Sequence, residues 1–104
     1  MMQLYYILDG KEPVPVASMI EWVKWFEKAD RRVALTELDS GEEVSTVFLS
    51  LDHRFIGDGP PVLFETLVRG GNFDGVVERY CTWDEAEAGH KRMVELVMSG
   101  LIDQ

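Results

Sequence analysis

The side chains of this chain that could do chemistry are two histidines, one cysteine, a carboxylate inside an apolar run and a scattered set of arginines. Asp52-His53 sets an acid beside an imidazole, the pairing of a proton-transfer site or of two metal donors. Adjacent strand residues point to opposite faces, so the two grip one small ion only if the strand ends there. The plainer role for His53 is a rim residue hydrogen-bonded to the following loop. His90 falls on the apolar stripe of a predicted helix, the position of a satisfied core or edge histidine. Together with His53 and an acid such as Glu65 it would complete a two-histidine, one-carboxylate site. No HxxxH or HxH spacing accompanies it. Cys81 precedes a helix start, where a thiolate nucleophile is favoured. Nothing near it in sequence supplies a base, and an isolated cysteine is commonly a small buried hydrophobe.

Glu65 lies in VLFETLV between Leu63 and Leu67. It is either solvated or buried and paired, and Arg69 and Arg79 are within reach across a predicted hairpin. The alternative role is a ligand anchor beside the glycine-rich turn RGGNFDG. Neither that turn nor GDGPP matches GxGxxG or GxxxxGK[ST], so no nucleotide cofactor is expected from a fingerprint. No metal is expected either. Arg31, Arg32, Arg54 and Arg69 are the available contacts for a small anionic ligand. With Asp52, His53, Glu65 and His90 they make up the candidate ligand-binding set; no catalytic residue is assigned.

Local patterning supplies the elements that must carry these residues. Gln3–Leu8 reads as a strand, ended by Asp9–Pro15, where Asp-Gly signals a turn and two prolines remove donors. Ala17–Ala29 has helical period, with Met19, Trp22, Val23 and Phe26 as its stripe and Trp25 as a second apolar edge. Val33–Leu38 and Val44–Leu51 form a hairpin around DSGE. Of the second strand's faces, Val47, Leu49, Leu51 and His53 are the more apolar and are expected to face the core. After the loop Arg54–Pro61 come strands Val62–Val68 and Val76–Cys81. Thr82-Trp83-Asp84-Glu85 is a capping box. It opens a helix that runs to about Met98 and ends near Gly100, with Ala86, His90, Met93, Val94 and Val97 inward. Gly89 inside that helix costs about 1 kcal/mol relative to alanine, so close packing is expected there. The order β-α-β-β-β-β-α predicts an α+β domain spanning residues 1–104. Its sheet is mostly antiparallel, of four to five strands, with both helices on one face. The other face, with Phe48, Phe64 and Tyr80, would be solvated or covered by a second copy, which predicts a homodimer.

Composition narrows the function classes. A length of 104 residues with 46% apolar content suits one folded domain. No apolar run reaches the roughly 18–20 residues that span a bilayer, so no membrane role is expected. MMQLYYILDG lacks a basic region and a cleavage site, and one cysteine suits a reducing compartment; the expected location is the cytoplasm. The net charge of −9, from 19 acidic and 10 basic residues, opposes approach to nucleic acid phosphates. Direct nucleic-acid binding is therefore not expected. The same charge suits either plain solubility or a partner protein with a basic surface, with Asp39, Glu42 and Glu43 as contacts.

The segments DGKEPVPV, WxxWFExADRRVAxT, VSTVFLxLDHxF, GPPxLFET and RYxTWxEAxxGH resemble a family of small uncharacterised proteins encoded by phages, prophages and bacterial genomes. The resemblance runs from Tyr6 to about Val97 and departs at Leu67 and Arg69. It implies a context and no mechanism. In that context the expected function is a non-enzymatic accessory protein that binds a basic host protein, such as part of a nucleic-acid machine or defence system. The alternatives are a sequestering binder of a small anion such as a nucleotide, and a small metal-dependent hydrolase using His53, His90 and Glu65.

Overall fold

The computed structural model describes residues 5–54 and 57–102. The Gln3–Leu4 part of the expected first strand and Phe55–Ile56 of the loop lie outside that range. Strand β1 (Tyr5–Asp9) turns at Gly10-Lys11 into β2 (Glu12–Val16). Gly10 takes the positive φ of 64° that a two-residue hairpin turn requires. The expected break at Asp9–Pro15 is thus a turn followed by a strand. Pro13 and Pro15 are tolerated because they are two residues apart and lie opposite Leu8 and Tyr6. Their missing N–H groups fall on the side where the ladder makes no bonds. The hairpin is tied to the rest of the domain by Tyr6 N–H donating to Ser50 O at 2.9 Å.

Helix α1 (Met19–Lys28) starts at Ser18, whose hydroxyl accepts from Glu21 N–H at 3.2 Å. Its inward stripe is Trp22, Trp25 and Phe26, rotated from the expected one. Tyr5 stacks on Trp22 at 5.0 Å, and Trp25 meets Phe48 edge-on at 5.8 Å. Using Trp25 turns Met19, Ile20 and Val23 outward, with Ile20 69% exposed.

The main sheet is an antiparallel meander in the order β3 (Arg32–Glu37), β4 (Glu43–Phe48), β5 (Phe64–Arg69), β6 (Val77–Tyr80). Helix α2 (Trp83–Ile102) crosses its inner face. The capping box forms: Thr82 Oγ1 accepts from Glu85 N–H, and Glu85 Oε1 accepts from Thr82 N–H, both at 3.1 Å. The architecture is α+β, as expected, with the hairpin as a separate two-stranded sheet.

The inner face of β4 is Val44, Thr46 and Phe48, the opposite of the apolarity-based expectation. Phe48, Phe64 and Tyr80 are buried under α2, so they offer no surface to a second copy. Two apolar clusters fill the space beneath the helix. One is Phe48, Leu63, Phe64, Tyr80 and Ala86; the other is Val44, Val68, Met93 and Val97. Between them lies a polar layer of Thr46, Thr66 and His90, all buried. These groups are admitted because they satisfy one another, which a count of apolar residues on each face cannot register. Among the described residues no helix is long and apolar enough to cross a membrane.

Candidate functional site

The polar layer is the middle of a hydrogen-bond chain across all four strands. Thr36 Oγ1 lies 2.8 Å from His90 Nε2, and His90 Nδ1 lies 2.8 Å from Thr46 Oγ1. Thr46 Oγ1 is 2.5 Å from Thr66 Oγ1, which is 3.0 Å from the Tyr80 hydroxyl. Tyr80 donates to Glu78 Oε1 at 2.8 Å, and Arg92 closes the chain on that same oxygen. Proton counting sets the direction. A carboxylate only accepts, so the one phenolic proton goes to Glu78 and Thr66 donates to Tyr80. Thr46 then donates to Thr66 and accepts from His90 Nδ1–H, leaving Nε2 to accept from Thr36. Burial lowers the His90 pKa from 6.5, in accord with this neutral ring. Burial pushes the Tyr80 phenol up to about 12; donation to Glu78 adds to the rise and the bond from Thr66 opposes it. The middle of the chain, Thr46, Thr66, Tyr80 and His90, is enclosed under α2, so its role is to hold strands and helix in register.

An open site lies elsewhere, where the hairpin, the Pro61–Leu63 segment and the start of α2 meet. They enclose a cleft of about 540 Å³. Tyr6, Trp83, Pro13 and Pro61 form its apolar lining and Leu63 is buried beneath it; Glu12 and Asp84 stand among its polar residues. Trp83 is held by two contacts. Its Nε1–H donates to Glu87 Oε1 at 2.8 Å, and its ring meets Phe64 edge-on at 6.2 Å. The Lys11 ammonium sits 5.8 Å from the Trp83 ring centroid and 3.9 Å from Glu87 Oε1. A cation is thus held between an aromatic face and a carboxylate on a largely exposed side chain. Cys81 lines the same cleft, with Sγ 3.9 Å from Pro60 O. The helix N-terminus beside it is already closed by Glu85, which leaves little attraction for an anion.

The residues singled out from sequence are mostly engaged in structural contacts. Arg31 donates to Phe48 O at 3.1 Å and covers the Phe26 ring at 4.4 Å. Asp52 Oδ1 accepts from Arg54 N–H and Val62 N–H, both at 2.8 Å, and so fastens the loop base. His53 Nδ1–H donates to Leu51 O at 2.8 Å, and Arg54 Nε–H to Pro60 O at 2.8 Å. Glu65 pairs with Arg79 at 3.0 Å, and Arg69 with Glu43 at 3.3 Å. The four arginines do not converge. Arg32 lies opposite Val47 and Arg69 opposite Glu43, on either side of β4 and offset by four residues, about 13 Å along the strand alone. Glu65 lies on the sheet's open face and His90 on its inner face, so these two cannot share a ligand. Among the described residues no group of three or more His, Cys, Asp or Glu side chains is placed to hold a metal ion. Glu42, an expected contact for a basic partner, is only 5% exposed.

Sequence reasoning missed Lys11 and Trp83, which come together only through the hairpin. The available signal was a tryptophan directly after a capping threonine, followed four residues later by Glu87. No protein family, curated protein or solved structure matches the chain.

Proposed function

We propose that this protein is a non-enzymatic binding module that captures a basic segment of a partner protein in the Tyr6–Trp83 cleft. The observation that carries the reading is the Lys11 ammonium resting over Trp83 beside Glu87. Lys11 shows which chemistry the cleft accepts, and an arginine or lysine of the partner would take its place. Glu12 and Asp84 supply further negative charge, and the net charge of −9 steers a basic partner inward. In this proposal the partner is a host protein, following the sequence resemblance to small phage and prophage proteins. The acidic contacts shift from Asp39, Glu42 and Glu43 to the cleft.

The test is a titration of the intact protein with a short arginine-rich peptide, following the backbone amides around the cleft by NMR. The expected result is a set of saturable shifts, with the affinity they report lowered by salt and at least tenfold by Trp83→Ala. Lys11→Met, by vacating the aromatic face, is expected to tighten binding. Equal affinity for wild type and Trp83→Ala would mean diffuse charge attraction and would sink the proposal.

A further inference from the structure

We infer that the β3 edge is a self-complementary surface, through which two copies of this chain pair antiparallel into one eight-stranded sheet. Strand β3 ends the sheet, with β4 on one side and, among the described residues, no strand on the other. Leu38 N–H donates to Glu42 O, so by antiparallel alternation Leu38 and Thr36 bond to β4. Leu35 and Glu37 then aim their backbone groups away from the sheet.

The side chains decide which strand fits there. A bulge between Arg32 and Ala34 absorbs one residue, so Arg32, opposite Val47, returns to the open face. Leu35 and Glu37, opposite Ser45 and Glu43, lie on that face too. Along the edge the face therefore reads Arg32, Leu35, Glu37, with the charges at matching steps on either side of the leucine. A two-fold axis at Leu35 sets each Arg32 against the partner copy's Glu37 and stacks the two leucines. It also matches Leu35 N–H and C=O to their counterparts in the second copy.

The charges involved are those left over within one chain. Arg69, Arg79 and Arg92 have carboxylate partners at 3.3 Å or less, while neither Arg32 nor Glu37 has an ion-pair partner among the described residues. Glu37 stands opposite Glu43, whose own cation is Arg69, so a cation for Glu37 must come from elsewhere. The leucine between them is 37% exposed. The opposite edge offers less: β6 is four residues long, and its Arg79 is already bound to Glu65. At physiological salt the Debye length is about 8 Å, which screens the −9 charge of each copy while pairs in contact remain. The bulge limits the straight ladder to a few residues, favouring one closed dimer over open-ended growth. This surface shares no residue with the Tyr6–Trp83 cleft, so the inference stands apart from the proposed function.

Sedimentation equilibrium on the full chain tests it, with circular dichroism to confirm that each variant is folded. Wild type is expected to dimerise. Arg32→Glu and Glu37→Arg, which each oppose like charges twice across the axis, are expected to weaken the dimer at least tenfold. The double variant R32E/E37R restores opposite charges and is expected to recover the wild-type constant. A wild type that stays monomeric to millimolar concentration would overturn the inference. So would a dimer that the single reversals leave unchanged, or one the double variant fails to rescue.

Discussion

The Tyr80 ring rests directly on the α2 backbone at Gly89, at a distance a β-carbon would not permit. The contact lets one side chain serve two neighbours at once. Its ring packs in the apolar cluster, while its hydroxyl bonds to Thr66 and Glu78. Glycine inside a helix is unfavourable by about 1 kcal/mol relative to alanine, and this approach is what it permits.

Gly89→Ala is therefore expected to destabilise despite better helix propensity. The added carbon would meet the ring edge and hydroxyl of Tyr80, overpacking of the kind that costs about 1–3 kcal/mol. For a domain of this size each kcal/mol lowers the melting temperature by about 4–8 °C. In a Tyr80→Ala background the same change should stabilise, because the obstacle is gone and the propensity gain remains. A double-mutant cycle by denaturant unfolding measures both; a destabilising effect unchanged by Tyr80→Ala would contradict the account.

His90 makes stability depend on pH with a definite sign. Burial lowers its pKa in the folded state below the reference value of 6.5, so between those two values the unfolded chain binds more protons. Its contribution is complete above about pH 6.5 and is lost as pH falls toward the lowered folded value. Unfolding free energies of wild type and His90→Gln, measured between pH 7.5 and 5, should converge as acid is added. Parallel curves would show that His90 keeps an ordinary pKa.

Ser50 invites a stabilising change. It holds a φ of 66° where β4 leaves the sheet, and its buried hydroxyl lacks a hydrogen-bond partner among the described residues. A left-handed non-glycine residue costs about 1–2 kcal/mol, and an orphaned buried polar group costs about 1–3 kcal/mol. Ser50→Gly removes both and adds about 1 kcal/mol of unfolded-chain entropy. A net gain of about 1–4 kcal/mol follows from these terms, seen as a rise in thermal midpoint. Ser50→Ala removes only the hydroxyl and should gain less.

Elements announced by local chemistry were legible. Thr82 and Glu85 mark the start of α2 without reference to anything distant, and Ala86, His90, Met93 and Val97 mark its inward side. The hairpin around DSGE declared itself through its turn. What stayed hidden depends on partners far along the chain. Pro13 and Pro15 look like breakers until the alternation of ladder bonds is known. Thr46 and Thr66 look like surface residues until His90 is set beside them. The arginines suggested an anion site by type, but contacts such as Phe48 O for Arg31 and Glu43 for Arg69 cannot be read from type. The Lys11–Trp83 meeting follows from where the hairpin docks, which no local pattern encodes.

The hydroxyl layer under α2 also governs how many ways the domain can be assembled. A helix lying on a uniformly greasy sheet has many seats of similar depth and can slide among them. Here a shift of one turn, about 5.4 Å, would carry His90 off the threonines and onto an apolar neighbour such as Phe48 or Val44. Every wrong seat strands an imidazole and several hydroxyls at once, so the helix is indexed to the sheet at one position. The layer removes the alternatives rather than deepening the well, and a loosely packed, sliding form of this domain has nowhere to rest.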